Sequence, residues 1–258
     1  MSPILFQVDQ QVARITLNRP DKFNSFNRPM ALLLQEKLDE CAQTASIRCV
    51  VITGAGKAFS AGQDLAEVTD PGGPDTATIL SEHYNPIIRK IRLLEKPVVA
   101  AVNGVAAGAG ANIALCCDIV VAAQSSSFIQ AFSKIGLVPD SGGTYFLPRL
   151  IGWQRASALA MLGDKVTATE AEKMGMIYKV IADDEFLPAY ITLAESLAQM
   201  PTKGLAFTKM ALNASFSNTL EQQLKTEEKL QIKAGTTADY KEGVHAFIEK
   251  RQPTFKGE

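Results

Sequence analysis

The chain has 258 residues, and 26 Lys plus Arg against 27 Asp plus Glu leave a formal net charge of −1. Hydrophobic residues make up 47% and charged residues 21%, which excludes a long disordered protein and allows one sizeable core. A near-neutral chain has no global basic field, so nucleic acid is not an expected partner, and two histidines are too few for a His-rich metal site or an imidazole relay.

Val12–Leu17 alternates with period two and reads as a half-buried strand. A helix is expected after Pro29, with Met30, Leu33, Leu34, Leu38, Cys41 and Ala42 on its apolar stripe. The unbroken apolar runs Cys49–Ile52, Val98–Val102 and Ile119–Ala122 read as strands covered on both faces. Ala58–Leu65 reads as a loop closing the strand before it, and Asp70–Asp75 as a loop by its turn chemistry. Pro97–Cys117 carries no charge, but its glycines and its Asn103 and Asn112 fit a buried strand, turn and helix better than a membrane span. His83 and His245 fall in helical contexts with a core or surface role expected. Thr167 with Glu170, and Asn218 with Glu221, have the spacing of N-terminal capping boxes.

After about Ala182 the pattern turns helical. The expected division is an α/β core over 1–195 and a helical region over 196–258, with no internal repeat evident. Cys41, Cys49, Cys116 and Cys117 show neither zinc-knuckle nor redox spacing, and the first residues have no basic region followed by an apolar stretch. Free thiols, a cytoplasmic location and no membrane partner are the expectations.

Three segments could carry chemistry. Val102–Asn112 runs from a buried strand through Gly104, Gly108 and Gly110 into an Ala-rich helix, whose N-terminus suits an oxyanion or phosphate; tight strand–helix packing explains the same glycines. Their spacing is not that of a dinucleotide site. In Ala58–Leu65, Ser60 lies outside a nucleophile elbow, and Gly54-Ala-Gly-Lys57 lacks the residues of a phosphate loop. In Gly136–Thr144, Asp140 sits between a proline and a Ser-Gly-Gly turn, either as a turn residue or as a carboxylate aimed into a cleft.

Together, in order and spacing, these segments resemble the crotonase, or enoyl-CoA hydratase/isomerase, superfamily. The resemblance extends from Ile15–Pro20 to Phe247–Arg251. It implies an α/β fold, a spiral of ββα turns with a C-terminal helical region that assembles trimers or dimers of trimers. It implies acyl-CoA thioester substrates, with coenzyme A part of the substrate and neither a resident cofactor nor a metal. By that resemblance the N–H groups of Gln63 and Ala109 form an oxyanion hole. Phe23, Ser25, Ala61, Asp64, Leu65, Gly108, Asn112 and Phe132 line the substrate. Lys22 and Arg28 lie near the coenzyme A end, and Phe247 and Lys250 act across a subunit interface. Such a hole makes physical sense, because two preset amides bind a thioester oxygen better as charge develops on it, and losing one donor raises the barrier by roughly 3 kcal/mol.

Hydratases of the superfamily use two glutamates, and Asn112 and Phe132 stand at the matching positions, where neither can act as a general base. Asp140 stands where several isomerases carry an acidic residue. The run Ser127–Thr144 resembles the branch that converts a ring epoxide of phenylacetyl-CoA into a seven-membered oxepin. In that scheme Asp140 moves the proton, Gln63 and Ala109 hold the enolate, and Asn112 either positions the substrate oxygen or packs beside its helix. The rival readings are a Δ3,Δ2-enoyl-CoA isomerase with the same Asp140, an enoyl-CoA hydratase, a dehalogenase-type enzyme with Asp140 as nucleophile, and a non-catalytic acyl-CoA or RNA-binding relative.

Overall fold

The computed structural model describes residues 2–258. The strands, in chain order, are β1 (Ile4–Asp9), β2 (Val12–Leu17), β3 (Cys49–Gly54), β4 (Ala58–Ser60), β5 (Val98–Val102), β6 (Val105–Ala107), β7 (Ile119–Ala123), β8 (Ser127–Ile129), β9 (Lys165–Thr167) and β10 (Lys179–Ile181). Among the described residues they form a six-stranded sheet in the order β1-β2-β3-β5-β7-β10 and a four-stranded sheet in the order β4-β6-β8-β9. Only β1–β2 and β8–β9 pair antiparallel.

The apolar runs are strands buried on both faces, as their composition requires. Val50, Ile52, Val98, Ala100 and Val102 join a cluster with Leu34, Leu38, Ile87 and Ile91, from the helices Arg28–Gln43 and Asn85–Leu93. Cys49, Val51, Val99, Ala101 and Val121 face Phe186, Tyr190, Ala194 and Ala198 of the helix Phe186–Ala198. Helix Arg28–Gln43 starts where Asn27 accepts a bond from the Met30 amide and Pro29 presets the first turn.

Three times the chain runs along a strand of the large sheet, crosses into a strand of the small sheet and continues into helix: β3 to β4, β5 to β6, and β7 to β8. This is the expected ββα spiral, repeated in structure without a repeat in sequence. The short strand β4 corrects the reading of Ala58–Leu65 as a loop, and β6 interrupts the turn expected between the strand ending at Val102 and the Ala-rich helix; strands of three residues are too short to carry a period.

The capping box Thr167–Glu170 is present. The second lies one residue later than expected, at Thr219 and Gln222, because Thr219 has the extended backbone a cap needs. Asn218 instead donates to Gln223 and Thr226. The expected division after residue 195 falls inside the helix Phe186–Ala198, whose buried side chains cover the large sheet. The following helices are tied to the core by Arg48, which bonds Thr202 Oγ1 and the carbonyls of Met200 and Phe255. Lys209 reaches Asp118 Oδ2 at 2.8 Å, and Arg92 reaches Asp118 Oδ1 at 3.1 Å. The four cysteines are free and buried. Among the described residues no helix is long and apolar enough to cross a membrane.

Candidate active site

The spiral brings β4 alongside β6, and with them the residues that follow each strand. After β4 the chain makes a short parallel pairing with Phe26: the Phe26 amide donates to Gly62 O and the Asp64 amide to Phe26 O. This arrangement turns the intervening Gln63 N–H away from Phe26. After β6, Gly108 takes φ +53° and the helix Ala109–Leu115 begins at Ala109, so the Ala109 N–H is the first of its unpaired amides. Neither the Gln63 nor the Ala109 N–H donates to a protein acceptor among the described residues. The two segments touch at Gly62: a Cβ there would lie 2.9 Å from Ala107 O and 3.3 Å from Ala109 N, on a backbone of φ +88°. Only glycine permits that approach.

Asp140 lies half-buried in the turn before the helix Gly143–Ile151. Its carbonyl accepts from the Gly143 amide and from Asn112 Nδ2, both at 2.8 Å. Burial pushes its carboxyl above the ordinary aspartate range, and the bond from Ser141 Oγ at 2.8 Å partly opposes that shift. Asn112 stands one turn into the helix that Ala109 opens, so one short helix carries a free amide and reaches the loop of the carboxylate. Phe132 is buried, with its ring 3.9 Å from where a Cβ of Gly108 would sit, and walls this corner with hydrocarbon.

Two residues at the site escape sequence reasoning. Tyr84, 1% exposed, donates its phenol to Gln63 Oε1 at 2.8 Å. Burial first, then the nearby charges of Asp140 and Glu67, hold that phenol well above its usual range. Glu67 accepts from Gln63 Nε2 at 2.9 Å and from the Arg28 amide at 2.8 Å. The four-residue spacing of Gln63 and Glu67 is a signal the sequence holds. Tyr84, 21 residues from Gln63 at the end of a π-helical stretch, Ile79–Tyr84, leaves none.

The other expected lining residues divide into groups. Phe23, Ala61 and Leu65 are exposed beside the site segments, with the Ala61 amide bonded to Phe23 O. Ser25 is buried, and its carbonyl accepts from Arg19. Asp64 caps the helix Leu65–Thr69 and pairs with Arg19 at 2.8 Å. Lys22 is exposed, whereas the Arg28 guanidinium is engaged by Glu82 at 2.6 Å and His83 Nε2 at 3.1 Å. His83 is buried, which pushes its pKa down. Phe247 and Lys250 lie in the C-terminal helical region, where Phe247 lines a groove with Pro201, Gly204 and Phe255 that includes none of the site residues.

The sequence model of the enoyl-CoA hydratase/isomerase family matches residues 7–258. The 1,2-epoxyphenylacetyl-CoA isomerase of Escherichia coli K12 is 48% identical over 260 residues, spanning 100% of this chain and 99% of that protein. A probable enoyl-CoA hydratase of Rhodobacter capsulatus is 44% identical over 98% of both chains. Among solved structures, the enoyl-CoA hydratase of Bacillus anthracis superimposes with a TM-score of 0.92 at 32% identity, covering 99% of this chain and 100% of that one.

Proposed function

The chain belongs to the enoyl-CoA hydratase/isomerase family of enzymes, and we propose that it is an acyl-CoA isomerase acting on a ring 1,2-epoxide of phenylacetyl-CoA. The observation that carries this reading is the set of groups around the two free amides. By the family resemblance Asn112 and Phe132 stand where hydratases hold glutamates, and with Glu67 engaged by Gln63 and the Arg28 amide, Asp140, tethered to the helix of Ala109, is left as the carboxylate able to move a proton. The similarity to the Escherichia coli isomerase supports the substrate.

In this reaction Asp140 takes the proton from the carbon next to the thioester. The negative charge passes to the thioester oxygen, held by the amides of Gln63 and Ala109. The C–C bond shared by the epoxide and the six-membered ring opens, the ring expands to the oxepin, and Asp140 returns the proton to a carbon of the new ring. Product and substrate have the same atoms, so no water or redox partner enters. Coenzyme A arrives and leaves as part of the thioester.

A homotrimer or dimer of trimers belongs to the same proposal. Trp153, Met161 and Phe247, each at least 73% exposed, are apolar surface that assembly would cover. The free buried thiols suit a reducing cytoplasm.

Turnover of the ring epoxide is the test, run beside a 3-enoyl-CoA and a 2-enoyl-CoA. Fast conversion of the epoxide that is abolished in Asp140→Asn supports the reading. Preference for the 3-enoyl-CoA makes the protein a Δ3,Δ2-enoyl-CoA isomerase, and hydration of the 2-enoyl-CoA makes it a hydratase, the reading that the Rhodobacter capsulatus relative favours.

A further inference from the structure

We propose that Asn112 is a positioning residue for Asp140, fixing the turn that aims its carboxyl, and does not itself hold substrate. This rests on Asp140 being the proton carrier. Asn112 is 1% exposed, and both ends of its amide are engaged by protein. Its Nδ2 donates to Asp140 O at 2.8 Å, and its Oδ1 accepts from the buried Gln130 Nε2 at 2.8 Å. The Asp140 carbonyl can only accept, so it fixes which end of the Asn112 amide points at it.

The turn so held needs holding. Ser141 and Gly142 follow Asp140 with φ of +51° and +76°, two left-handed residues in succession, the first with a side chain that disfavours the conformation. The Asp140 carbonyl is gripped by Asn112 and the Gly143 amide together, and this double grip stabilises the strained turn. Gly143 is part of the same device: a Cβ there would stand 2.3 Å from Asn112 Nδ2 and push the amide off the carbonyl. A carboxylate at position 112 would have no N–H to give and would set oxygen against oxygen. The Asp140 turn therefore requires an amide where a hydratase carries its glutamate.

The test follows exchange of the protons next to the thioester of phenylacetyl-CoA in heavy water, with the full-length chain and its variants Asn112→Asp, Gly143→Ala, Gln130→Met and Asp140→Asn. Asn112→Asp and Gly143→Ala are each expected to lower kcat for exchange about 100-fold with KM changed less than twofold, since misplacement by an ångström has that effect. The double variant should be no worse than either single one. In Gly143→Ala a loosened Asp140 is better solvated, so the acidic limb of the rate profile moves to lower pH, whereas in Asn112→Asp the new carboxylate beside Asp140 opposes that shift. Gln130→Met keeps a long side chain distant from the turn and should shift kcat in the same direction, which guards against misfolding in the other two. An unchanged kcat in Asn112→Asp, or a raised KM at unchanged kcat, overturns the inference. Full exchange by Asp140→Asn, or none by the parent protein, instead overturns the role of Asp140.

Discussion

The phenol of Tyr84 and the side chain of Gln63 meet at 2.8 Å inside the protein, and Glu67 holds the other end of the same amide at 2.9 Å. Gln63 is thus fixed from two sides while its main-chain N–H stays free. Tyr84→Phe removes one of those sides and nothing else of the side chain's bulk. The expected outcome is a kcat reduced about tenfold as the donor loses its preset angle. KM should hold, and stability measured in urea should fall by about 1 kcal/mol.

Gly62→Ala tests the oxyanion hole without touching either donor residue. The added methyl would press on Ala107 O and on Ala109 N, at a φ that only glycine accepts readily. The chain should still fold, since the strain is local. Turnover should fall by about 10²–10³, the loss typical of one missing oxyanion donor. A variant with normal turnover would exclude the Ala109 amide from the reaction.

The pH dependence follows from the burial of Asp140. In the proposed reaction it must start as a carboxylate, and burial raises its pKa, so kcat/KM should drop on acidification at a higher pH than an exposed aspartate would give. The Ser141 bond opposes that shift. Ser141→Ala therefore moves the acidic limb upward in pH, the opposite direction from Gly143→Ala. Rate profiles of the three proteins on one substrate check both signs.

Asp118 sits between Lys209 and Arg92, and the Lys209 side chain is only 8% exposed. Asp118→Asn leaves that ammonium buried without its counter-charge, which should destabilise the fold by about 3 kcal/mol. Lys209→Met in the same background should restore much of the loss, since hydrocarbon fits where a lone charge does not. Urea unfolding of the two variants and the parent measures both steps.

The sequence reveals those parts of this fold that rest on composition over five or more residues. β3, β5 and β7 are unbroken apolar runs because helices cover both of their faces, and the apolar stripe after Pro29 announces the first long helix. β4, β6, β8 and β9 are three residues each and exist only through pairing with distant strands, so no local pattern marks them. The same limit divides the site. Gln63, Ala109 and Asp140 lie in recognisable turns, whereas Tyr84 reaches Gln63 from a separate helix. Asn112 is legible as a residue but not as a role: the sequence leaves two readings open, and Asp140 O and Gln130 at its two ends belong to the fold alone.

The helix Ala109–Leu115 has a consequence for how the enzyme could be altered. All seven of its residues are buried. In the proposed reaction it begins with the anion donor, and three positions later, a rise of roughly 4.5 Å, it carries the tether of the proton carrier. Peptide geometry, rather than the packing of separate elements, thus sets the spacing between the place where charge gathers and the loop that moves the proton. This rod acts as a calliper. Swapping the walls of the acyl pocket leaves that measurement untouched, so new acyl groups can be accommodated without rebuilding the chemistry, while one residue inserted between 109 and 112 would turn the tether by about 100° and disconnect it.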